Sequence, residues 1–179
     1  TGTVYELFNT GTTAAAGCQN CTLAGTRAVR DAGGTAVWVL NENADTLSRY
    51  DIHANGNFNQ NPTSSVAGLA LVDRLWLSAD GQDIVLGNGS VYVTSSLAPD
   101  GTSLPLSPLH FDSTVASTVL QGVAFAAPAT TLTRLSAAYA STGTLAVPQL
   151  GVTGTGYPAA ARFAFVRSDG TAHYAIVRA

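Results

Sequence analysis

Short apolar runs separated by glycine-containing turns dominate the pattern along this chain. Residues 35–40, 83–86, 90–97 and 172–179 are rich in valine, isoleucine, tyrosine and tryptophan, which favour β-strands. Further apolar runs at 74–78 and 162–168 lie just before two of the turns. Asp and Gly tolerate the positive φ of a tight turn, so an apolar run, Asp-Gly and a second apolar run predict a β-hairpin.

The hairpin pattern recurs along the chain. Asp-Gly pairs end at Gly81, Gly101 and Gly170, and residues 31–34 are a close variant that ends at Gly34. Gly81 follows Gly34 by about 47 residues, and Gly170 follows Gly81 by about twice that interval, which is typical of one four-stranded unit per period. We therefore predict four blade-like units of about 45 residues, the third of which, near 121–137, lacks an Asp-Gly pair.

Residues 33–52, GGTAVWVLNENADTLSRYDI, resemble the blades of bacterial β-propeller repeat proteins, and residues 72–93 and 161–177 resemble them less fully. The resemblance implies a mainly β fold of antiparallel hairpin repeats in a propeller-like arrangement. The alternative is a β-sandwich or jelly roll. We expect residues 1–179 to form a single β-rich domain, which is either complete or a fragment of a larger propeller or multidomain surface protein.

One segment conflicts with an all-β reading. Leu132, Leu135 and Tyr139 follow the i, i+3, i+7 spacing of a helix, and Gly143 would suit its end. Residues 131–135, TLTRL, also alternate as a strand would, so a short helix near 129–141 stays an alternative to a strand there. The same ambiguity applies to residues 65–75.

Composition narrows the class of protein. Apolar residues make up 46% of the chain, enough for a core, but charged residues make up only 11% and the net charge is −3. The eight basic residues are all arginine and are scattered, which argues against a nucleic-acid partner. No apolar run approaches the ~18 residues of a transmembrane helix. Low charge, many Thr and Asn residues and a close cysteine pair favour a secreted or cell-surface protein. The lack of lysine and the high content of Ala, Gly, Val and Thr are typical of a bacterial one.

Cys18 and Cys21 form a Cys-x-x-Cys motif in a loop-like segment. Thr22 stands where a haem-attachment motif requires histidine, and the flanking residues do not give the strand and helix of a thioredoxin-like site. A zinc site would need two further ligands, and the three histidines are scattered. We predict a local disulfide between Cys18 and Cys21, as expected for an exported chain.

Residues 51–59 place oxygen ligands at alternate positions, with a glycine after the third, as calcium loops do. Asp51, Asn55 and Asn57 are the candidate calcium ligands. His53 and Pro62 depart from the pattern, because calcium prefers oxygen ligands and a calcium loop ends in glutamate. A polar loop between repeats is the alternative, and no other cofactor is expected.

The sequence contains no nucleophile elbow, dinucleotide-binding loop or Walker loop. Trp38 and Trp76 are expected in the core rather than as sugar-stacking platforms. The first prediction is therefore a non-catalytic binding or adhesion module, not an enzyme, that recognises a glycan or a protein. The alternative is a structural subunit of a surface layer, filament or particle that self-assembles through sheet edges. A third possibility is a propeller-type hydrolase or lyase, with residues clustered around a central channel.

Overall fold

The computed structural model describes residues 26–41, 45–54, 58–65, 74–147 and 159–178. These residues form fourteen β-strands and no helix. Accordingly, the described part of the chain contains no helix that is long and apolar enough to span a membrane. The strands are β1 Thr26–Arg30, β2 Ala36–Asn41, β3 Thr46–Ile52, β4 Phe58–Ser65, β5 Leu75–Leu77, β6 Asp83–Leu86, β7 Ser90–Val93, β8 Pro99–Ser103, β9 His110–Ala116, β10 Val119–Phe125, β11 Thr131–Leu135, β12 Ser141–Ala146, β13 Ala160–Val166 and β14 His173–Arg178.

The strands pair with their neighbours in sequence and give four antiparallel sheets. Sheet 1 is β1–β4, sheet 2 is β5–β8, sheet 3 is β9–β12, and sheet 4 contains the described strands β13 and β14. Each sheet is a simple meander, which is the topology of a propeller blade. The predicted mainly β fold with four blade-like units is therefore confirmed. The strand order is that of successive meanders and not the Greek-key order of the sandwich alternative.

Apolar side chains fill the spaces between successive sheets. Trp38 and Leu40 of sheet 1 pack with Ile84 and Leu86 of sheet 2. A second cluster joins sheets 2 and 3 through Val85, Val91, Phe111 and Leu120, and a third joins sheets 3 and 4 through Val123, Phe125, Ala161 and Ala164. Ile84 and Val85 are adjacent and lie in different clusters, because successive strand residues point to opposite faces.

The turns follow the predicted pattern at three of the four sites. Gly34, Gly81 and Gly170 each adopt a φ near +73° between paired strands, as the prediction requires. Gly101 also has a positive φ, but it lies inside β8, beside a register shift against β7, so the prediction of a hairpin turn at Asp100-Gly101 is wrong. Sheet 3 makes its first hairpin through Ser117 and Thr118, whose φ angles are 49° and 72°.

The predicted alternative of a short helix near 129–141 is wrong. Residues 131–135 form β11, a tight turn follows, and β12 begins at Ser141. Leu132 packs towards sheet 4, whereas Leu135 packs towards sheet 2. A helix would bring these two leucines to one face, but β11 needs an apolar residue on each face because sheets cover it on both sides. The segment 66–73, where a helix was also considered, lies outside the described residues.

Candidate functional site

The first strands of the four sheets surround a cavity of about 610 Å³. Strand β1 contacts β5, and β9 contacts β13, so the first strand of each sheet meets the first strand of a neighbour. The cavity is lined by Arg27, Ala28, Arg74, Leu75, Trp76, Leu109, His110, Phe125, Ala161, Arg162 and Phe163. Each of the four sheets therefore contributes to one space, as expected around the axis of a propeller.

Three arginines and no carboxylate stand among the described residues that line this cavity. Arg27 and Arg162 are exposed, and the half-buried Arg74 donates a hydrogen bond to the backbone carbonyl of Leu109 in the loop before sheet 3. Guanidinium groups present several N–H donors and stay charged at all physiological pH values. The cavity is consequently suited to a ligand that carries a carboxylate or another anionic group.

His110 is half-buried at the start of β9 and lies 3.0 Å through its Nε2 atom from the Ala164 carbonyl of β13. A carbonyl oxygen only accepts hydrogen bonds, so Nε2 carries the hydrogen and Nδ1 keeps the lone pair of a base. Burial lowers the pKa of His110, and the charge of Arg74 lowers it further, against the opposing effects of the Ala164 hydrogen bond and Asp112. His110 is therefore neutral at pH 7.

Aromatic rings surround the imidazole of His110. The Phe125 ring stacks on it at 6.0 Å between centroids, and the rings of Phe163 and Trp76 approach it edge-on at 5.5 Å and 6.2 Å. These contacts, with the bond to Ala164, hold the imidazole in one orientation at the cavity wall. A fixed, neutral imidazole beside cationic groups has the properties of a general base.

A second cavity, of about 690 Å³, is lined by residues of sheets 1, 2 and 3, among them Trp38, Trp76 and Asp112. Trp38 is buried, and its Nε1 atom donates to the carbonyl oxygen of Thr94 at 3.1 Å. The guanidinium of Arg49 lies 5.8 Å from the Trp38 ring centroid. Trp38 is thus a core residue that joins sheets 1 and 2, as the sequence predicted. Trp76 is half-buried and lies between the two cavities.

Of the predicted metal and disulfide residues, Asp51 alone lies within the described part of the chain. Asp51 lies in β3, where its Oδ1 atom accepts a hydrogen bond from Arg49 Nε at 2.9 Å. Asn55, Asn57, Cys18 and Cys21 lie outside the described residues, so the calcium loop and the disulfide stay predictions. Within the described ranges, no group of three or more His, Cys, Asp or Glu side chains is placed to hold a metal ion.

No protein-family model matches the chain, and neither does any curated protein sequence. Among solved structures, the chain is similar to the periplasmic gluconolactonase of Pseudomonas aeruginosa, with 14% identity and a TM-score of 0.46. The similarity covers 68% of this chain and 39% of the gluconolactonase chain, so the matched part spans well under half of that protein.

We predicted a non-catalytic binding or adhesion module and not an enzyme. The comparison contradicts this prediction, because the similar solved structure is that of an enzyme. The likeness itself assigns neither an activity nor a substrate to this chain. The prediction rested on the lack of catalytic motifs. His110 and the three cavity arginines lie far apart in sequence and come together only when the sheets assemble, so no motif could show them.

Proposed function

We propose that the chain is a propeller-type hydrolase that acts on a small substrate bearing an anionic group, with the first cavity as its active site. One observation carries the proposal: a half-buried, neutral histidine and three arginines line the same cavity. Perturbed titratable groups in a concave site at the meeting point of several elements are typical of active sites.

In the proposed reaction, Nδ1 of His110 removes a proton from water while the water oxygen bonds to the carbonyl carbon of an ester. The carbonyl π electrons move to oxygen, and a cavity arginine stabilises the resulting oxyanion. When the bond to the leaving oxygen breaks, the proton on Nδ1 passes to that oxygen. A carboxylic acid and an alcohol are formed, and His110 returns to its neutral state. A second arginine binds the anionic group of the substrate.

The test compares hydrolysis of 4-nitrophenyl hemisuccinate, which is anionic, with that of 4-nitrophenyl acetate, which is neutral. His110→Gln keeps a donor for the Ala164 carbonyl and removes the base, so kcat should fall about 100-fold or more, with KM little changed. His173→Gln is the matched control, because His173 is a half-buried histidine in β14 that is not among the cavity residues. Wild-type kcat in His110→Gln, or no hydrolysis of either ester, overturns the proposal.

A second pair of variants tests the role of charge. Arg162 is exposed and lines the cavity, so Arg162→Gln should raise KM for the anionic ester and leave the neutral ester unaffected. Arg167→Gln is the control, because Arg167 is exposed, is absent from the cavity lining and pairs with Asp169 at 3.1 Å. Equal effects of the two variants on both esters would show that the cavity does not select for charge.

We also propose that the protein is secreted or surface-exposed and that Cys18 and Cys21 form a disulfide. Low charge and the close cysteine pair support this, since disulfides persist in oxidising compartments. Mass spectrometry after alkylation of the unfolded chain without reductant tests the disulfide. No alkyl group should be added to the chain, and the addition of two alkyl groups would contradict the disulfide.

A further inference from the structure

The two cavities lie one after the other along the first strands of sheets 1, 2 and 3. On each of these strands, the earlier residues line the first cavity and the later residues line the second. The change occurs between 27–28 and 29–30 on β1, between 74–75 and 77 around β5, and between 109–110 and 111–112 around the start of β9. Neighbouring residues of a strand are about 3.3 Å apart along it, so one short step on each strand leads from the first cavity to the second.

Trp76 stands at the boundary between the two cavities. Among the described residues, it is the only one that lines both of them. Its ring lies 6.2 Å between centroids from that of His110, which lines the first cavity, and 6.5 Å from that of Phe111, which lines the second. The side chain is half-buried, so part of it still faces open space. A rigid indole in this position separates the two cavities.

The repeat itself does not require a tryptophan at this position. Trp76 lies five residues before the turn glycine Gly81, as Val29 of sheet 1 lies five residues before Gly34. Each of the two side chains packs against the apolar cluster that joins its own sheet to the next one. Contact between sheets at this position is thus possible with a smaller side chain, and the indole of Trp76 adds bulk that reaches both cavities.

The two cavities differ in charge. The described lining of the first contains three arginines and no carboxylate, whereas the second is lined by two arginines and three carboxylates, Arg30, Arg49, Asp31, Asp80 and Asp112. Arg49 also pairs with Asp51 at 2.9 Å. An anionic group is therefore better held in the first cavity. The second cavity offers apolar side chains next to Trp76, such as Leu77 and Phe111, which suit an alkyl chain.

We propose that Trp76 sets the length limit for ligands of the first cavity by closing this cavity towards the second. The inference rests on the proposed function, in which a cavity arginine binds the anionic group of the substrate. Arg74 and Trp76 are two residues apart, so their side chains leave the chain on the same side, about 7 Å apart along it. A ligand whose anionic group lies at the level of Arg74 meets the Trp76 ring when its chain exceeds this distance.

The test measures the binding of straight-chain carboxylates, from butanoate to decanoate, to the full chain by isothermal titration calorimetry. In the wild type, affinity should rise over the first members of the series and stop rising once the alkyl chain reaches the ring. Trp76→Val introduces the side chain that sheet 1 has at this position and should remove the limit. Each further methylene should then enter the second cavity and strengthen binding about fourfold.

Trp76→Phe is the matched control, because it keeps an aromatic ring at the boundary and should keep the limit. Butanoate is the control ligand: it is short enough for the first cavity alone and should bind the wild type and the variants with the same affinity. Trp76→Leu serves as a second variant in case Trp76→Val fails to fold, as judged by circular dichroism. The wild-type series needs no variant and tests the limit directly.

Several outcomes overturn the proposal. Wild-type affinity that rises steadily through decanoate would show that the ring does not close the cavity, and so would the absence of binding by every carboxylate. An unchanged limit in Trp76→Val and Trp76→Leu would show that other side chains set it. Equal loss of the limit in Trp76→Phe and Trp76→Val would assign the effect to altered packing of the sheets and not to the ring.

These measurements record binding and not turnover, so the two proposals can fail separately. A length limit without hydrolysis of either 4-nitrophenyl ester would overturn the hydrolase proposal alone. Hydrolysis without a length limit would overturn only the role of Trp76.

Discussion

The hydrogen bond between Tyr139 and Asp83 gives the sharpest test of how sheets 2 and 3 are held together. Tyr139 is 2% exposed, and its hydroxyl donates to Oδ2 of Asp83 at 2.8 Å across the boundary between the sheets. Burial raises the pKa of Tyr139, and the bond to Asp83 raises it further, so the hydroxyl stays protonated at every pH of interest.

Tyr139→Phe removes this donor and leaves the half-buried Asp83 carboxylate without it. A hydrogen bond to a charged group contributes about 1.5–3 kcal/mol, so we expect a loss of about 2 kcal/mol in the free energy of unfolding at pH 7. For a chain of this length, that corresponds to a fall of about 4–8 °C in Tm. Tyr174→Phe is the control, because Tyr174 is 54% exposed. Removal of its hydroxyl should change the free energy of unfolding by less than about 0.5 kcal/mol.

The loss should depend on pH in a defined direction. Burial raises the pKa of Asp83, the Tyr139 bond lowers it, and the charges of Asp100 and Asp80 raise it. Removing the bond raises the folded-state pKa further and disfavours only the ionised carboxylate. The loss in the free energy of unfolding caused by Tyr139→Phe should therefore be small below the pKa that Asp83 has in the unfolded state. It should grow as pH rises through the pKa that Asp83 has in the folded state. Urea unfolding from pH 3 to pH 8 measures it, and a pH-independent cost would refute the reasoning.

Three further predictions concern turns and metal. Replacing Ser117-Thr118 by Asn-Gly should raise the free energy of unfolding by about 0.5–1 kcal/mol, because both residues have positive φ angles that Asn and Gly adopt more easily. An unchanged urea unfolding curve would contradict this. Gly170→Ala should lower Tm more than Gly81→Ala does. The two φ angles are alike, at 73° and 72°, but an added Cβ would lie 2.8 Å from the Ala116 Cβ at Gly170 and within 4 Å of nothing at Gly81. Equal losses of Tm would show that this crowding does not matter. If the segment from Asp51 binds calcium, excess calcium should raise Tm relative to chelator, and identical melting curves would count against the site.

Local chemistry explains why much of the fold could be predicted. A turn glycine and its flanking strands are fixed by backbone conformation within about ten residues, so Gly34, Gly81 and Gly170 mark their hairpins directly in the sequence. Sheet 3 was harder to recognise, because Ser117 and Thr118 hold the positive φ angles there without an Asp-Gly pair. Within sheet 3, the sequence indicated β10, at the start of the predicted unit near 121–137, and allowed β11 as one of two alternatives.

The candidate site could not be predicted, because its residues share no local pattern. His110 follows a Pro-rich segment, and Arg27, Arg74 and Arg162 look like isolated charges at the starts of strands. One available signal was positional: Arg27 and Arg74 each lie seven residues before a turn glycine, so the repeat places them alike. That Arg162 and His110 lie at the same cavity depends on how four sheets are arranged.

By itself the sequence determined the β class, most turns and the repeat of about 45 residues, because these follow from backbone preference and alternation within one unit. Tertiary structure decided the rest. It placed Leu132 and Leu135 on opposite faces of a strand, where spacing alone also allowed a helix. It also brought His110 beside the arginines and left the Tyr174 side chain 54% exposed. These outcomes depend on contacts between distant segments, which fix which face is buried and which side chains meet.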